Sequence, residues 1–210
     1  MQELSLNVLD VAENSMRARA KNVTVEITED TAADRMEIRI ADDGCGMSKE
    51  MTEQVTDPFF TTRTTRKVGL GVPFFKMAAE MAGGEFSITS EPGVGTETRA
   101  TFGLSHIDRM PLGDIASTMQ LLICDHEDVN VIYRHRVDAE TFEVSSDQLK
   151  EVLDGVPLGL PEIRTFIGEY LKENIEALYH PESEAPADPE GGQAAEPARN
   201  EQDMNTTMEE

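Results

Sequence analysis

Four groups of residues in this chain have the types and spacing that chemistry on an anionic ligand would need. Asp10, Asn14, Arg17 and Lys21 follow one another at i, i+4, i+7 and i+11, which aligns side chains on one stripe of a helix. An acid, a carboxamide oxygen and two cations in a row could hold a hydrated Mg²⁺ and the phosphates it bridges, because Mg²⁺ takes oxygen ligands and keeps several waters. The second group is the run Asp42-Asp43-Gly44-Cys45-Gly46-Met47. Its glycines allow close approach of a ligand, and a carboxylate leaving a strand end there could accept a hydrogen bond from an exocyclic amine. The third, Gly69-Leu70-Gly71, opens a predicted helix behind the basic, hydroxyl-rich run Thr61-Thr62-Arg63-Thr64-Thr65-Arg66-Lys67. Free N–H groups at a helix start bind phosphate. The fourth is Gly93-Val94-Gly95-Thr96. Taken singly, each has a plain structural alternative: a solvated helix face, a tight turn, a mobile loop and a hairpin turn.

The elements that must position these groups are legible from periodicity. Ser5 is expected to cap a helix running to about Ala20, with Val8, Leu9, Ala12, Met16 and Ala20 as its apolar stripe. Alternation in NVTVEIT and MEIRIA predicts a hairpin of two strands over Asn22–Thr28 and Met36–Ala41. A loop rich in Thr and Gly leads to a helix from about Leu70 to Met81, closed by Gly83-Gly84, and two strands follow over Glu85–Ser90 and Thr96–Leu104. In the second half the pattern gives a helix near Leu112–Cys124, strands near Val129–Val137 and Thr141–Val144, and helices near Asp147–Leu153 and Glu162–Tyr179. The fold class is therefore α+β. Residues 1–105 form a main domain, 106–179 a small α+β appendage suited to docking a partner, and 180–210 an acidic tail. That tail is rich in Pro, Glu, Ala and Gly, nearly without large apolar residues, and is expected to be disordered.

The charge narrows the partners. With 18 basic and 41 acidic residues the chain carries −23, and the tail, with nine acids against one arginine, accounts for only −8 of it. Such a surface repels phosphodiester backbones and anionic headgroups, so neither nucleic acid nor membrane is expected as a partner. Cys45 and Cys124 have no CxxC spacing, which indicates neither a disulfide framework nor a zinc site. The amino terminus lacks the pattern of a signal peptide, and no long apolar run is present. A cytoplasmic location is expected, and the Met- and Leu-rich helices of the second half offer a surface for a homodimer.

Together, in order and spacing, the four groups resemble the N, G1, F, G2 and G3 boxes of the GHKL ATP-binding superfamily, across about Leu4 to Leu104. VLDVAENSMRARAKNVTVEI looks like the mismatch-repair version, whereas DPFFTTR, VGLGV and EPGVGT look like sensor histidine kinases. The resemblance implies a two-layer α/β sandwich, the Bergerat ATP-binding fold, with ATP and Mg²⁺ as cofactors. It implies Asn14 as the Mg²⁺ ligand, Asp42 as acceptor of the adenine amine and Thr96 as a second adenine-side contact. Gly44, Gly46, Met47, Gly69, Leu70 and Gly71 would line the nucleotide, with Arg17, Arg63 and Lys67 as cationic contacts and Phe59 and Phe60 in the F box. Asp10 stands where hydrolysing members carry a Glu that acts as general base and kinases commonly an Asn. Lys67 replaces the first glycine of the GxGLG pattern, and Asp43 stands where Asn is usual. Only three residues precede the first helix, and His106, His126, His135 and His180 all follow the motif region. No dimerising, phospho-accepting hairpin is expected, and a phosphoacceptor would lie on another protein. Three activities fit: phosphoryl transfer to a protein partner in two-component-like signalling, a non-catalytic ATP-operated switch, and a slow ATPase clamp.

Overall fold

The computed structural model describes residues 3–56 and 71–180. In chain order the elements are α1 (Leu4–Arg17), β1 (Asn22–Asp30), β2 (Arg35–Asp42), α2 (Lys49–Gln54), α3 (Gly71–Met81), β3 (Phe86–Glu91) and β4 (Gly95–Gly103). Then come α4 (Ile115–Asp125), β5 (Asn130–Val137), β6 (Glu140–Ser145), α5 (Ser146–Val152) and α6 (Pro161–Tyr179). The strands form one six-stranded sheet in the order β3-β4-β2-β1-β5-β6. All neighbours are antiparallel except β1 and β5, which run parallel with Val23 opposite Val131.

Strand alternation sorts the side chains onto two faces. Val23, Val25, Ile27, Met36, Ile38, Ile40, Ala100, Phe102, Val131 and Tyr133 are buried, and α1, α3, α4 and α6 form a single layer over that side. The opposite face is a row of alternating charges crossing five strands. Glu97 pairs with Arg39 at 2.6 Å, Arg39 with Glu26 at 2.5 Å, Glu26 with Arg134 at 2.6 Å and Arg134 with Glu143 at 2.6 Å. The molecule is thus a two-layer α/β sandwich of mixed α+β class. The strands of 106–179, expected as an appendage, extend the same sheet through β1.

Three expectations need correction. Ser5 does not cap α1: the N-cap is Glu3, and Ser5 is buried inside the first turn. The orphan N–H groups of Leu4 and Ser5 instead donate to the carbonyls of Pro111 and Leu112 at 3.0 and 2.8 Å, which a side-chain cap would otherwise satisfy. Nor does α1 reach Ala20. It ends at Arg17, and Arg19 turns the chain at φ +60°. Lys21 therefore leaves the helical stripe, and its N–H donates to Asp43 Oδ1 at 2.7 Å, starting β1. Finally, α2 lies where a loop was expected. Ser48 caps it, accepting from the N–H of Met51 at 3.3 Å, with Glu50 in the first turn. Among the described residues no helix is long and apolar enough to cross a membrane.

Candidate functional site

A cavity of about 310 Å³ opens between α1 and the sheet, at the lower end of the range for small-molecule sites. Strand register builds its floor. Asp42 lies opposite Thr96 and Ile40 opposite Thr98, and Thr98 in turn faces Ile88. Directly opposed residues share a face, so all five side chains point at the layer of helices. Val11, Asn14 and Ser15 of α1 and its C-cap Ala18 form one wall, and Val72 of α3 with Met51 of α2 and its C-cap Val55 form the apolar remainder. The turn after β2 closes the end with Cys45, Gly46 and Met47. Gly46 sits at φ +63°, and a Cβ there would drive into the carbonyl oxygen of Glu91. A side chain at Gly95, whose φ is +140°, would likewise overlap the carbonyl of Asp42. These two glycines let the β3–β4 hairpin close against the turn.

Asp42 is the acceptor in this cavity. Its Oδ2 takes a hydrogen bond from the Ser15 hydroxyl at 2.6 Å and its Oδ1 one from the Gly44 N–H at 2.9 Å. A carboxylate offers about four lone-pair sites, so acceptor capacity remains toward the cavity. Beside it, Ser90 donates to the Gly95 carbonyl at 2.9 Å and accepts from the Met47 N–H at 2.8 Å. With the Ser90 proton used, the 2.8 Å contact between Ser90 and Thr96 has Thr96 donating. Thr96 then also presents lone pairs. Two acceptors side by side at the end of an otherwise apolar slot suit a donor such as an aromatic amine.

The mouth of the cavity is polar. Asn14 and Arg17 are exposed there, and Arg17 Nη1 donates to Asn14 Oδ1 at 2.9 Å. Glu13, beside them, is shared between Arg17 at 3.4 Å and His126 at 2.9 Å. A carboxamide oxygen next to a guanidinium has the chemistry to meet a hydrated divalent cation and its phosphates.

Of the residues singled out from sequence, Asn14, Arg17, Asp42, Gly46, Met47 and Thr96 line this one cavity. Gly44 is buried under Asp42, and a Cβ on it would crowd Ala18. Asp10 is exposed and lies against Gly71, one turn before Asn14, facing the neighbouring groove between α1 and α3 instead. Phe59, Phe60, Arg63, Lys67, Gly69 and Leu70 lie outside the described residues. Asp43 does not line the cavity. It accepts from Lys21 N–H, Asn22 N–H and Asn22 Nδ2 at 2.7–2.8 Å, fastening the α1–β1 turn. Partial burial pushes its pKa up, and the hydrogen bonds from Asn22 and Lys21 outweigh this and hold it below the usual Asp value. Sequence reasoning missed Ser15 and Ser90. Ser15 continues the buried row Val8, Val11, and a hydroxyl in an apolar stripe was the available signal. Ser90 had none, because its role depends on hairpin register.

Residues 1–106 match the family described as histidine kinase-, DNA gyrase B-, and HSP90-like ATPase. The chain is similar to sensor protein DegM of Bacillus sp. strain B21-2, 32% identical over 90 residues, covering 43% of this chain and 24% of that protein. It is 31% identical over 104 residues to the signal transduction histidine-protein kinase AtoS of Escherichia coli, covering 50% and 16%. It is 31% identical over 88 residues to sporulation kinase C of Bacillus subtilis, covering 42% and 20%. The matched region thus spans less than a quarter of the length of each of these relatives. Among solved structures, the Aquifex aeolicus MutL ATPase domain complexed with ADP overlays at a TM-score of 0.42 and 15% identity, covering 70% of this chain and 67% of that one.

Proposed function

This chain belongs to the histidine kinase-, DNA gyrase B-, and HSP90-like ATPase family, and from that membership we propose that it binds Mg·ATP in the cavity between α1 and the sheet and acts in signalling by phosphoryl transfer to a protein partner. The observation that carries the reading is the meeting of Asp42 and Thr96 from two strands with Asn14 and Arg17 from α1 around one cavity. Asp42 is the acceptor for the adenine amine, held in place by Ser15 and Gly44. Thr96 is its second acceptor. A guanine ring would turn a carbonyl toward the same two acceptors, so the pocket selects adenine.

Val11, Ile40, Ile88 and Val72 cover the base and exclude water from it. Asn14 supplies a carboxamide oxygen to Mg²⁺ and Arg17 a cation to the phosphates, at the open end where a second protein can reach. Bound Mg·ATP supplies a transferable γ-phosphoryl group whose transfer needs mainly positioning and charge neutralisation. Asp10 is the candidate for any proton abstraction, and its place in the adjoining groove favours transfer to a partner over hydrolysis of water within the cavity. The acidic surface and lack of a described membrane-crossing helix fit a cytoplasmic, protein-directed role.

Incubation with γ-labelled ATP, Mg²⁺ and lysate tests this reading. Label on another protein is expected. Release of free phosphate by the purified chain, abolished in Asp10→Asn, would establish the slow ATPase instead, and bound, intact ATP the switch.

A further inference from the structure

We infer that the groove between α1 and α3 is a docking surface for a basic amphipathic helix of another protein. Phe74, Met77 and Met81 stand at i, i+3 and i+7 on α3, on a side of the helix turned away from the sheet, and are 39%, 48% and 57% exposed. Leu6 faces them from α1 at 53% exposure. Between them lies a groove of about 630 Å³, separate from the nucleotide cavity. α3 already buries Val72, Phe75 and Ala79 beneath it, so this second stripe is surplus to the core. A contiguous apolar patch rich in methionine on an otherwise charged chain marks a contact site for a partner. Two helices flanking a groove match the helix-in-groove mode of recognition, and the eleven residues of α3 give about 16 Å, or three turns, of contact.

The rim selects the occupant. Glu3, Asp10 and Asp108 border the groove. Arg109 also lines the groove, its Nε donating to the Leu104 carbonyl at 2.7 Å and its Nη1 to the Met110 carbonyl at 3.4 Å, so three carboxylates face one guanidinium and the rim is net acidic. An apolar stripe edged by carboxylates calls for a helix with apolar residues flanked by Lys and Arg. A second copy of the chain would bring the same acids face to face between two molecules of net charge −23, and an anionic lipid surface meets the same repulsion. The inference does not rest on nucleotide binding. It adds a place for the partner, because Asp10 links the groove to the cavity mouth, one turn before Asn14.

The test uses the full chain with ¹³C-labelled methionine methyls and a synthetic Leu/Lys peptide of about four turns, with leucines at helical spacing. A Leu/Glu peptide of the same pattern serves as the comparison. Binding of the Leu/Lys peptide near about 10 μM is expected, at least roughly 30-fold tighter than Leu/Glu, with shifts at the Met77, Met81 and Met110 methyls and none at the buried Met36 and Met119. Met77→Gln with Met81→Gln, both on the outer face of α3, should weaken binding roughly 10-fold or more with an unchanged melting temperature. Asp42→Asn, which removes the charge of the adenine acceptor and turns one of its two oxygens into an NH₂ donor, should leave peptide binding intact. Unmoved Met77 and Met81 methyls, or equal binding of the two peptides, would overturn the inference. Shifts of the same methyls with protein concentration alone would replace it with a dimer.

Discussion

Asp42 is held by Ser15 from α1 and Gly44 from its own turn, with acceptor capacity left toward the cavity. That arrangement explains how one strand-end carboxylate serves as a fixed acceptor in an apolar slot. Cys45, three residues on from Asp42, gives a direct readout of occupancy. It is exposed and lines the cavity, whereas Cys124 is buried, and burial pushes the Cys124 thiol up to about 11. At neutral pH iodoacetamide is therefore expected to label Cys45 alone, and saturating Mg·ATP to slow the labelling about tenfold or more, with no slowing by GTP; peptide mass mapping over time measures both. Labelling of Cys45 at the same rate with and without ATP would place the nucleotide elsewhere. At this scale the sequence was informative where glycines and acids cluster in short runs, because a run keeps its geometry through one turn, and Asp42, Gly46 and Met47 could be read together. Ser90 and Thr96 meet through the β3–β4 register, and Asp43 fastens a turn twenty-one residues back at Asn22. Neither pairing leaves a local trace.

Among the elements, α6 is anchored by a buried polar chain rather than by apolar packing alone. Tyr133 bonds His135 at 2.9 Å, His135 bonds Glu29 at 3.1 Å, and Tyr179 near the end of α6 donates to the same carboxylate. His135 is fully buried and Glu29 nearly so. Burial raises the pKa of Glu29, and the hydrogen bonds from His135 and Tyr179 outweigh it and leave the carboxyl below its ordinary 4.5. A lowered carboxylate pKa contributes stability above the unfolded value and loses it as pH falls through the folded one. Hydrogen exchange in α6 should accordingly accelerate below about pH 4.5 relative to the rest of the chain. Glu29→Gln should cost roughly 3 kcal/mol at pH 7 in urea unfolding, because it leaves buried partners unsatisfied, and should flatten the acid dependence; a loss under about 0.5 kcal/mol would show that the network is incidental. The elements themselves were largely readable, since 3.6- and 2-residue periods persist through all the long ones. What periodicity could not show was α1's start, where remote carbonyls of Pro111 and Leu112 replace a cap, and α2, a six-residue helix too short to repeat a pattern.

For the molecule as a whole, the parallel pairing of β1 with β5 makes one sheet out of two halves. The ion-pair row from Glu97 to Glu143 crosses that seam through Glu26 and Arg134, and α4 packs on α1 above it. Unfolding should then appear as a single calorimetric transition, and a fragment ending at residue 105 should fail to fold, because it bares the β1 edge and the Leu4 and Val8 side of α1. Two separated transitions, or a stable fragment, would mean that the halves are independent. Nucleotide binding is the property on which the functional reading stands, and isothermal titration of the full chain with ATP and Mg²⁺ measures it most directly. One site per chain is expected, with Asp42→Asn weakening ATP by about 10- to 100-fold, as for a lost hydrogen bond to a charged group, while leaving weak GTP binding nearly unchanged. No heat with any adenine nucleotide on folded protein, or equal losses for ATP and GTP in the variant, would contradict it.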